Sequence, residues 1–214
     1  MADETEIMGD RQPLREEQLF GQLKLRHSYA LIPGTCCSAN PSVTSSLDTP
    51  TAFVQFVSED LFTTLSEELS RIRFGFGAVS TDPNLPIWQG ELDHTSPAVQ
   101  LALQAVCDWT SRRFELVTSH MNLQTHGLDG AFHSDSDGKI THALTWYIHP
   151  YEWLREYGGY LVIGDDLWNL RAILPARNTA VLMPSNVPHC ATAPSLRAGT
   201  RARISLNLKL WVRP

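Results

Sequence analysis

The sequence lacks features that would assign it to several large classes of protein. Its 17 Lys and Arg residues are scattered and the formal net charge is -6, so there is no basic stripe for a phosphate backbone and we expect no nucleic-acid partner. No segment has the apolar run of a membrane span, and the N-terminal MADETEIMGDRQ lacks that of a signal peptide. We therefore expect a soluble, cytoplasmic protein that does not bind membranes.

Paired cysteine motifs are also missing. The four cysteines show no CxxC spacing, and sequence neighbours such as Cys36 and Cys37 rarely form a disulfide with each other. We expect reduced thiols, with Cys190 packed rather than reactive.

The length of 214 residues suits one domain with a substantial core. Residues 1–17 are polar and show no apolar periodicity, which predicts a disordered leader, and residues 18–214 are predicted to form the single domain. Residues 34–51 are rich in Ser, Thr, Pro and Gly, which indicates a surface loop.

Two amphipathic helices are predicted within a helical support that spans about residues 52–114. The first follows Ser58 and places Phe62, Leu65 and Leu69 on one face. The second starts at Ser96-Pro97, where a capping residue precedes a proline at the first helical position. A loop containing Trp88 and Gly90 is expected between them.

From about residue 115 the apolar period changes from helical to two, which is typical of β-strands. About eight short strands suit a jelly roll. The prediction is a mainly β fold with flanking helices and a double-stranded β-helix, cupin-like core over about residues 115–212. The candidate strands are 115–125, 131–135, 141–148, 160–164, 169–174, 179–183, 187–193 and 201–212.

The last strand alternates strictly between apolar and polar residues, with Arg203, Ser205 and Lys209 on the polar face. One interpretation is a strand with its polar face in water. The other is a barrel with a polar cavity, and it is favoured by two more strands with polar faces, one carrying Asn122 and Gln124 and the other Thr145 and Tyr147.

A possible metal site begins at His133-Ser134-Asp135, whose two outer side chains would point the same way on a strand. A His-x-Asp alone is weak, since a chain with eight histidines often places one beside an Asp by chance. His189 adds a second imidazole after a Pro-led turn. Two imidazoles and one carboxylate can occupy one face of an octahedral Fe(II) and leave the opposite face open.

Further sequence motifs lie between and after these three candidate ligands. They are Thr145-Trp146-Tyr147, Trp153, Gly158-Gly159-Tyr160-Leu161, the segment from Pro175 through Met183, and Arg203-Ile204-Ser205. In order and spacing, about residues 50–212 resemble the Fe(II)/2-oxoglutarate-dependent oxygenases, specifically the prolyl 4-hydroxylase-like branch.

The resemblance implies that His133, Asp135 and His189 hold Fe(II), with 2-oxoglutarate and O2 as co-substrates and ascorbate as a further candidate. It implies that Arg203 and Ser205 bind the far carboxylate of 2-oxoglutarate, with Arg201 as the alternative arginine. Many members of this group contact the co-substrate through a tyrosine on the strand before His-x-Asp. The candidates for that contact in this chain are Asn122, Gln124 and Tyr147.

The function implied is a dioxygenase that hydroxylates an unactivated C–H bond of a small molecule, such as an amino acid or a natural-product intermediate, with succinate and CO2 as co-products. Related halogenases have a small residue in place of Asp135, so its presence favours hydroxylation. The alternatives are a prolyl or other protein hydroxylase, a cupin-like metal-dependent isomerase or hydrolase without 2-oxoglutarate, and a non-catalytic β-barrel binding module. Oligomeric state is left open.

Overall fold

The structure, a computed structural model, describes residues 47–79, 81–164 and 169–212. The predicted leader and the pair Cys36 and Cys37 lie outside these ranges, as does most of the predicted loop at 34–51. That residues 18–214 form a single domain stays a prediction. None of the helices in the described ranges is long and apolar enough to cross a membrane.

Both predicted helices form, as α1 (Glu59–Leu69) and α2 (Pro97–Thr110). Helix α1 buries Phe62, Leu65 and Leu69, the apolar face expected from the spacing. At the start of α2, the Ser96 hydroxyl accepts a hydrogen bond from the backbone N–H of Val99, as an N-cap should. Ser58 holds the same position before α1 but forms no such side-chain bond with the described part of the chain.

The strands form two antiparallel sheets. Their strands are β1 (Thr51–Phe53), β2 (Gly75–Ala78), β3 (Ile87–Glu91), β4 (Phe114–Gln124), β5 (His142–Tyr147), β6 (Leu161–Ile163), β7 (Arg171–Ile173), β8 (Ala180–Pro184), β9 (His189–Ala191) and β10 (Arg203–Val212). The larger sheet has the order β1-β8-β5-β10-β4-β3-β2, and the smaller has β7-β6-β9. The predicted fold class, a mainly β protein with flanking helices and a jelly-roll core, is confirmed.

The segment between the helices was predicted as a loop, and this is wrong. Strands β2 and β3 form a hairpin that extends the larger sheet beyond β4. The hairpin is joined to the sheet by backbone hydrogen bonds, which need no side-chain pattern, and its glycines obscured the alternation. Gly90 is needed for packing, because a Cβ there would lie 2.6 Å from the Cγ2 atom of Ile72.

The predicted strand at 131–135 is also wrong. His133 forms only an isolated β-bridge with His189. The residues that follow favour a turn instead: the Asp137 carboxylate accepts hydrogen bonds from the backbone N–H groups of Lys139 and Ile140, and Gly138 adopts a φ of 86°. Local side-chain bonds of this kind compete with strand pairing.

Strand β10 divides the core from a polar cavity, as the second interpretation of its pattern predicted. Its apolar residues Leu206, Leu208 and Leu210 are fully buried. Residues on its polar face, including Arg203 and Lys209, line a cavity of about 400 Å³. The smaller sheet supplies the opposing wall through residues of β6 and β9.

Candidate metal centre

The structure brings together the three residues that the sequence proposed as metal ligands. One ligand atom from each of His133, Asp135 and His189 lies within 4.8 Å of the others. The Nε2 atom of His133 lies 3.5 Å from Asp135 Oδ1, and the Nε2 atom of His189 lies 3.7 Å from Asp135 Oδ2. All three residues line the cavity.

The two imidazoles are held in the form that binds a metal. His133 Nδ1 lies 2.9 Å from the carbonyl oxygen of Ala131, and His189 Nδ1 lies 3.0 Å from that of Val187. A carbonyl oxygen only accepts, so each Nδ1 carries a hydrogen, and in the neutral ring the lone pair is on Nε2. Histidine ligands of metals are oriented in the same manner.

Backbone bonds fix the positions of the ligands. The N–H of His133 donates to the carbonyl of His189 at 3.0 Å, and the N–H of His189 donates back at 2.9 Å. The N–H of Asp135 donates to the Ser185 carbonyl at 2.7 Å. The loop that carries His133 and Asp135 is therefore tied directly to the strand that carries His189.

Protonation states around the site fit a cation. Burial raises the pKa of Asp135, but the hydrogen bond from His133 and the Lys209 ammonium outweigh it, so the net pKa is well below its usual range. Burial lowers the pKa of His189, which favours the neutral ring that a metal requires. The hydrogen bond with Asp135 raises the pKa of His133 despite burial, so a metal that binds this ring would displace a proton from Nε2.

Two neutral imidazoles and one carboxylate are a donor set that suits Fe(II). The Nε2 atoms of His133 and His189 both lie close to the Asp135 carboxylate, and all three residues line the cavity, so other ligands can reach an ion held there. The residues present thus fit the metal that the sequence resemblance implied.

Arg203 is buried in the cavity wall, with 4% of its surface exposed. Its Nη1 donates to Gln124 Oε1 at 2.7 Å, and Gln124 Nε2 donates to the Leu128 carbonyl at 2.9 Å. Its Nε is buried without a hydrogen-bond partner among the described residues. A buried donor left unpaired is costly, and a bound carboxylate would satisfy it.

The alternative arginine points elsewhere. Arg201 is exposed, and its guanidinium carbon lies 5.2 Å from the ring centre of Tyr157 and 5.9 Å from that of Tyr151. The structure therefore places Arg203 in the cavity and Arg201 on the surface, because β10 begins at Arg203 and Arg201 lies before it.

The other residues predicted to contact 2-oxoglutarate divide into two groups. Asn122 and Gln124 line the cavity. Ser205 and Tyr147 are fully buried behind the lining: the Ser205 hydroxyl accepts from Asn207 Nδ2 at 3.2 Å, and the Tyr147 hydroxyl has no partner among the described residues.

Sequence reasoning missed Lys209. Its ammonium forms an ion pair with Asp135, directly beside the candidate ligands. The alternation of β10 placed Lys209 on the same face as Arg203, but nothing in the sequence indicated which acid it would meet. His120 on β4 also lines the cavity and lies outside the ligand cluster.

Solved structures with the same fold are oxygenases and related enzymes. A prolyl-4-hydroxylase from Pseudomonas putida is 17% identical over 78% of this chain and 94% of its own, with a TM-score of 0.57. An oxidoreductase of the 2OG-Fe(II) oxygenase family from Burkholderia pseudomallei is 12% identical over 76% and 85%, with a TM-score of 0.62. The non-haem α-ketoglutarate-dependent epimerase SnoN of nogalamycin biosynthesis is 11% identical over 78% and 82%, with a TM-score of 0.58.

No family model and no curated protein matches the sequence. At these low identities the likeness to solved structures shows the fold, which is the fold that the sequence resemblance predicted. Function must be argued from the residues of the site.

Proposed function

We propose that this protein is an Fe(II)- and 2-oxoglutarate-dependent dioxygenase that hydroxylates an unactivated C–H bond of a small molecule, such as an amino acid or a natural-product intermediate. The observation that carries the proposal is the pairing of two oriented imidazoles and a carboxylate with a buried arginine in one cavity. Neither half would suffice alone.

In this proposal His133, Asp135 and His189 hold the metal, and Asp135 is already ionised, so no proton has to leave its carboxylate on binding. Arg203 binds the far carboxylate of 2-oxoglutarate through two parallel N–H donors, one of which is its unpaired Nε. Gln124 holds the guanidinium in place. When bound, Fe(II) and 2-oxoglutarate would activate O2, which oxidises both the substrate and 2-oxoglutarate and gives one oxygen atom to the hydroxylated product and one to succinate, with release of CO2.

The size and lining of the cavity support the proposal of a small-molecule substrate. Its volume of about 400 Å³ falls in the usual range for small-ligand sites. Its walls carry uncharged polar groups from several strands, among them Asn122, Thr145 and Asn207. A prolyl or other protein hydroxylase is the second candidate, because solved structures of this fold include prolyl hydroxylases.

The two remaining alternatives leave part of the site unexplained. A cupin-like isomerase or hydrolase without 2-oxoglutarate has no use for a buried arginine with an unpaired donor. A non-catalytic binding module has no use for two histidines whose Nδ1 atoms are fixed by carbonyl groups.

The test is to add Fe(II) and 2-oxoglutarate to the protein without oxygen and record the visible metal-to-ligand charge-transfer band, then admit oxygen and measure succinate. We expect a band in the wild type, no band in His133→Ala, and a full band in the control His94→Ala, which alters an exposed histidine away from the cavity. The absence of a band in the wild type, or an unchanged band in His133→Ala, would exclude the proposed function.

A product heavier by one oxygen atom would separate hydroxylation from epimerisation, which another enzyme of this fold performs. Turnover of proline-containing peptides, but of no free small molecule, would favour the protein hydroxylase instead.

A further inference from the structure

The feature that the proposed function leaves unused is a second cation on the floor of the cavity. Lys209 lies on the same face of β10 as Arg203 and pairs with Thr118 of β4 across the sheet. Its side chain is 17% exposed, and its ammonium forms an ion pair with Asp135, whose side chain is 6% exposed. A long, entropically costly side chain is thus held beside the metal ligands.

The two cations stand at opposite ends of this floor. Lys209 follows Arg203 by six positions on one strand, so their Cα atoms are about 20 Å apart at the usual rise per residue. At one end of the strand, Arg203 donates a hydrogen bond to Gln124. Toward the other end, Lys209 forms its ion pair with Asp135. Arg203 is therefore the cation placed to anchor the far carboxylate of the co-substrate, and Lys209 is not needed for that contact.

A count of the charges in the site also indicates that Lys209 is available to bind a further anion. With the site loaded, the charges of the metal and Arg203 equal those of Asp135 and the two carboxylates of 2-oxoglutarate, so the Lys209 ammonium adds one positive charge in excess. Among the described residues that line the cavity, the other acid is Asp137. Asp137 is held in a turn by the N–H groups of Lys139 and Ile140.

Lys209 also has donors to spare. An ammonium group carries three N–H donors, and coordination of Asp135 to a metal draws its negative charge away from Lys209. The neighbouring groups add no competing charge: burial, together with the Lys209 ammonium, lowers the pKa of His120 to about 4, so that ring is neutral. Thr118 and Asn207 are uncharged.

We propose that Lys209 determines substrate specificity by binding a carboxylate of the primary substrate. The proposal rests on the proposed function and narrows it to small molecules that carry a carboxylate. A single lysine among neutral groups matches a monoanion, whereas a phosphate dianion is usually met by several donors or by an arginine fork.

The test uses the full-length protein with Fe(II) and 2-oxoglutarate, without oxygen. The probes are free L-amino acids and short-chain carboxylic acids, each paired with its uncharged primary amide. Probe binding is followed by the shift of the charge-transfer band, 2-oxoglutarate affinity by the formation of the band, and metal affinity separately by the absorption of Co(II). The variants are Lys209→Met, Lys209→Arg and the control Lys139→Met, which removes a different lysine.

We expect at least one carboxylate to bind about ten-fold or more tightly than its amide, the effect of one hydrogen bond to a charged group. Lys209→Met should abolish that preference, while the affinities for 2-oxoglutarate and Co(II) change by less than about three-fold, well below the loss of a charged hydrogen bond. Lys209→Arg should retain most of the preference, and Lys139→Met all of it.

Three results would overturn the proposal. The first is that no carboxylate of the panel binds better than its amide. The second is weaker 2-oxoglutarate binding in Lys209→Met, which would make Lys209 the co-substrate anchor. The third is weaker Co(II) binding in that variant, which would mean that Lys209 acts by positioning Asp135. Failure of the proposed function is distinguishable, because the wild type would then form no charge-transfer band.

Discussion

The guanidinium of Arg203 has one N–H bonded to Gln124 and another, on Nε, without a partner among the described residues. The bond to Gln124 orients the guanidinium, and the Nε–H is left as a donor that a bound carboxylate could use. Arg201 lies over two tyrosine rings at the surface instead. Two arginines separated by one residue therefore have different chemical surroundings, and their replacements should differ in effect.

Replacing Arg203 with Met should raise the dissociation constant for 2-oxoglutarate about 10- to 100-fold, because a charge-assisted bond to the carboxylate is lost. Gln124→Leu should raise it by a smaller factor, since Arg203 keeps its charge but loses the bond that orients it. Titration of the charge-transfer band measures both. Arg201→Met is the control and should leave the constant unchanged; a larger effect there than at Arg203 would reassign the anchor.

At the scale of elements, the connection into β8 depends on Asn178. This residue is buried and adopts a left-handed conformation with φ of 57°. Its Oδ1 accepts from Trp146 Nε1 and from the N–H of Val57, and its Nδ2 donates to the Val57 carbonyl at 2.8 Å. The side chain thus ties the segment before α1 to strand β5.

Asn178→Gly should destabilise the protein by about 2–3 kcal/mol, because three buried hydrogen bonds are lost and the relief of the left-handed backbone is worth only about 1 kcal/mol. Ser111, which ends α2 with φ of 54° at an exposed position, is the matched control. Ser111→Gly should stabilise by about 0.5–1 kcal/mol, because glycine is relaxed there. Urea unfolding measures both, and the same sign for the two variants would contradict the argument.

Elements with a regular alternation of apolar and polar residues could be predicted from the sequence. Features that depend on contacts between distant parts of the chain could not. Strand β10 was predicted because its alternation continues over ten residues and fixes which side chains share a face. The β2–β3 hairpin was missed because its pairing with β4 is made by backbone groups. The Lys209–Asp135 ion pair was missed for a related reason, since it joins a strand to a turn far away in the sequence.

At the scale of the whole molecule, stability should depend on a histidine outside the site. His149 is fully buried, and its ring lies 4.8 Å from the Trp153 ring and 5.4 Å from the Tyr151 ring. Burial, aided by the nearby Arg203 charge, lowers its pKa to about 3. The folded protein thus keeps this ring neutral under conditions in which an unfolded chain would protonate it.

The sign of the pH effect follows. Between the folded pKa and the unfolded value of about 6.5, only the unfolded state binds the proton, so stability falls as the pH falls. Acidification from pH 7 to pH 5 should cost about 2 kcal/mol through His149 alone. In His149→Phe the drop should be smaller by that amount, measured by urea unfolding at both pH values. His94→Phe, at an exposed position, should keep the wild-type drop; equal drops in all three proteins would contradict the assignment.

The backbone bonds between His133 and His189 use main-chain N–H and carbonyl groups and no ligand atom of either imidazole. The spacing of the two rings is therefore set by the main chain, which leaves little room to select one cation by rearrangement. Nitrogen and oxygen ligands bind nickel, copper and zinc more tightly than ferrous iron. Under the proposed function, iron occupancy would therefore be decided by which ions the cell supplies, and activity would be open to inhibition by mis-metallation.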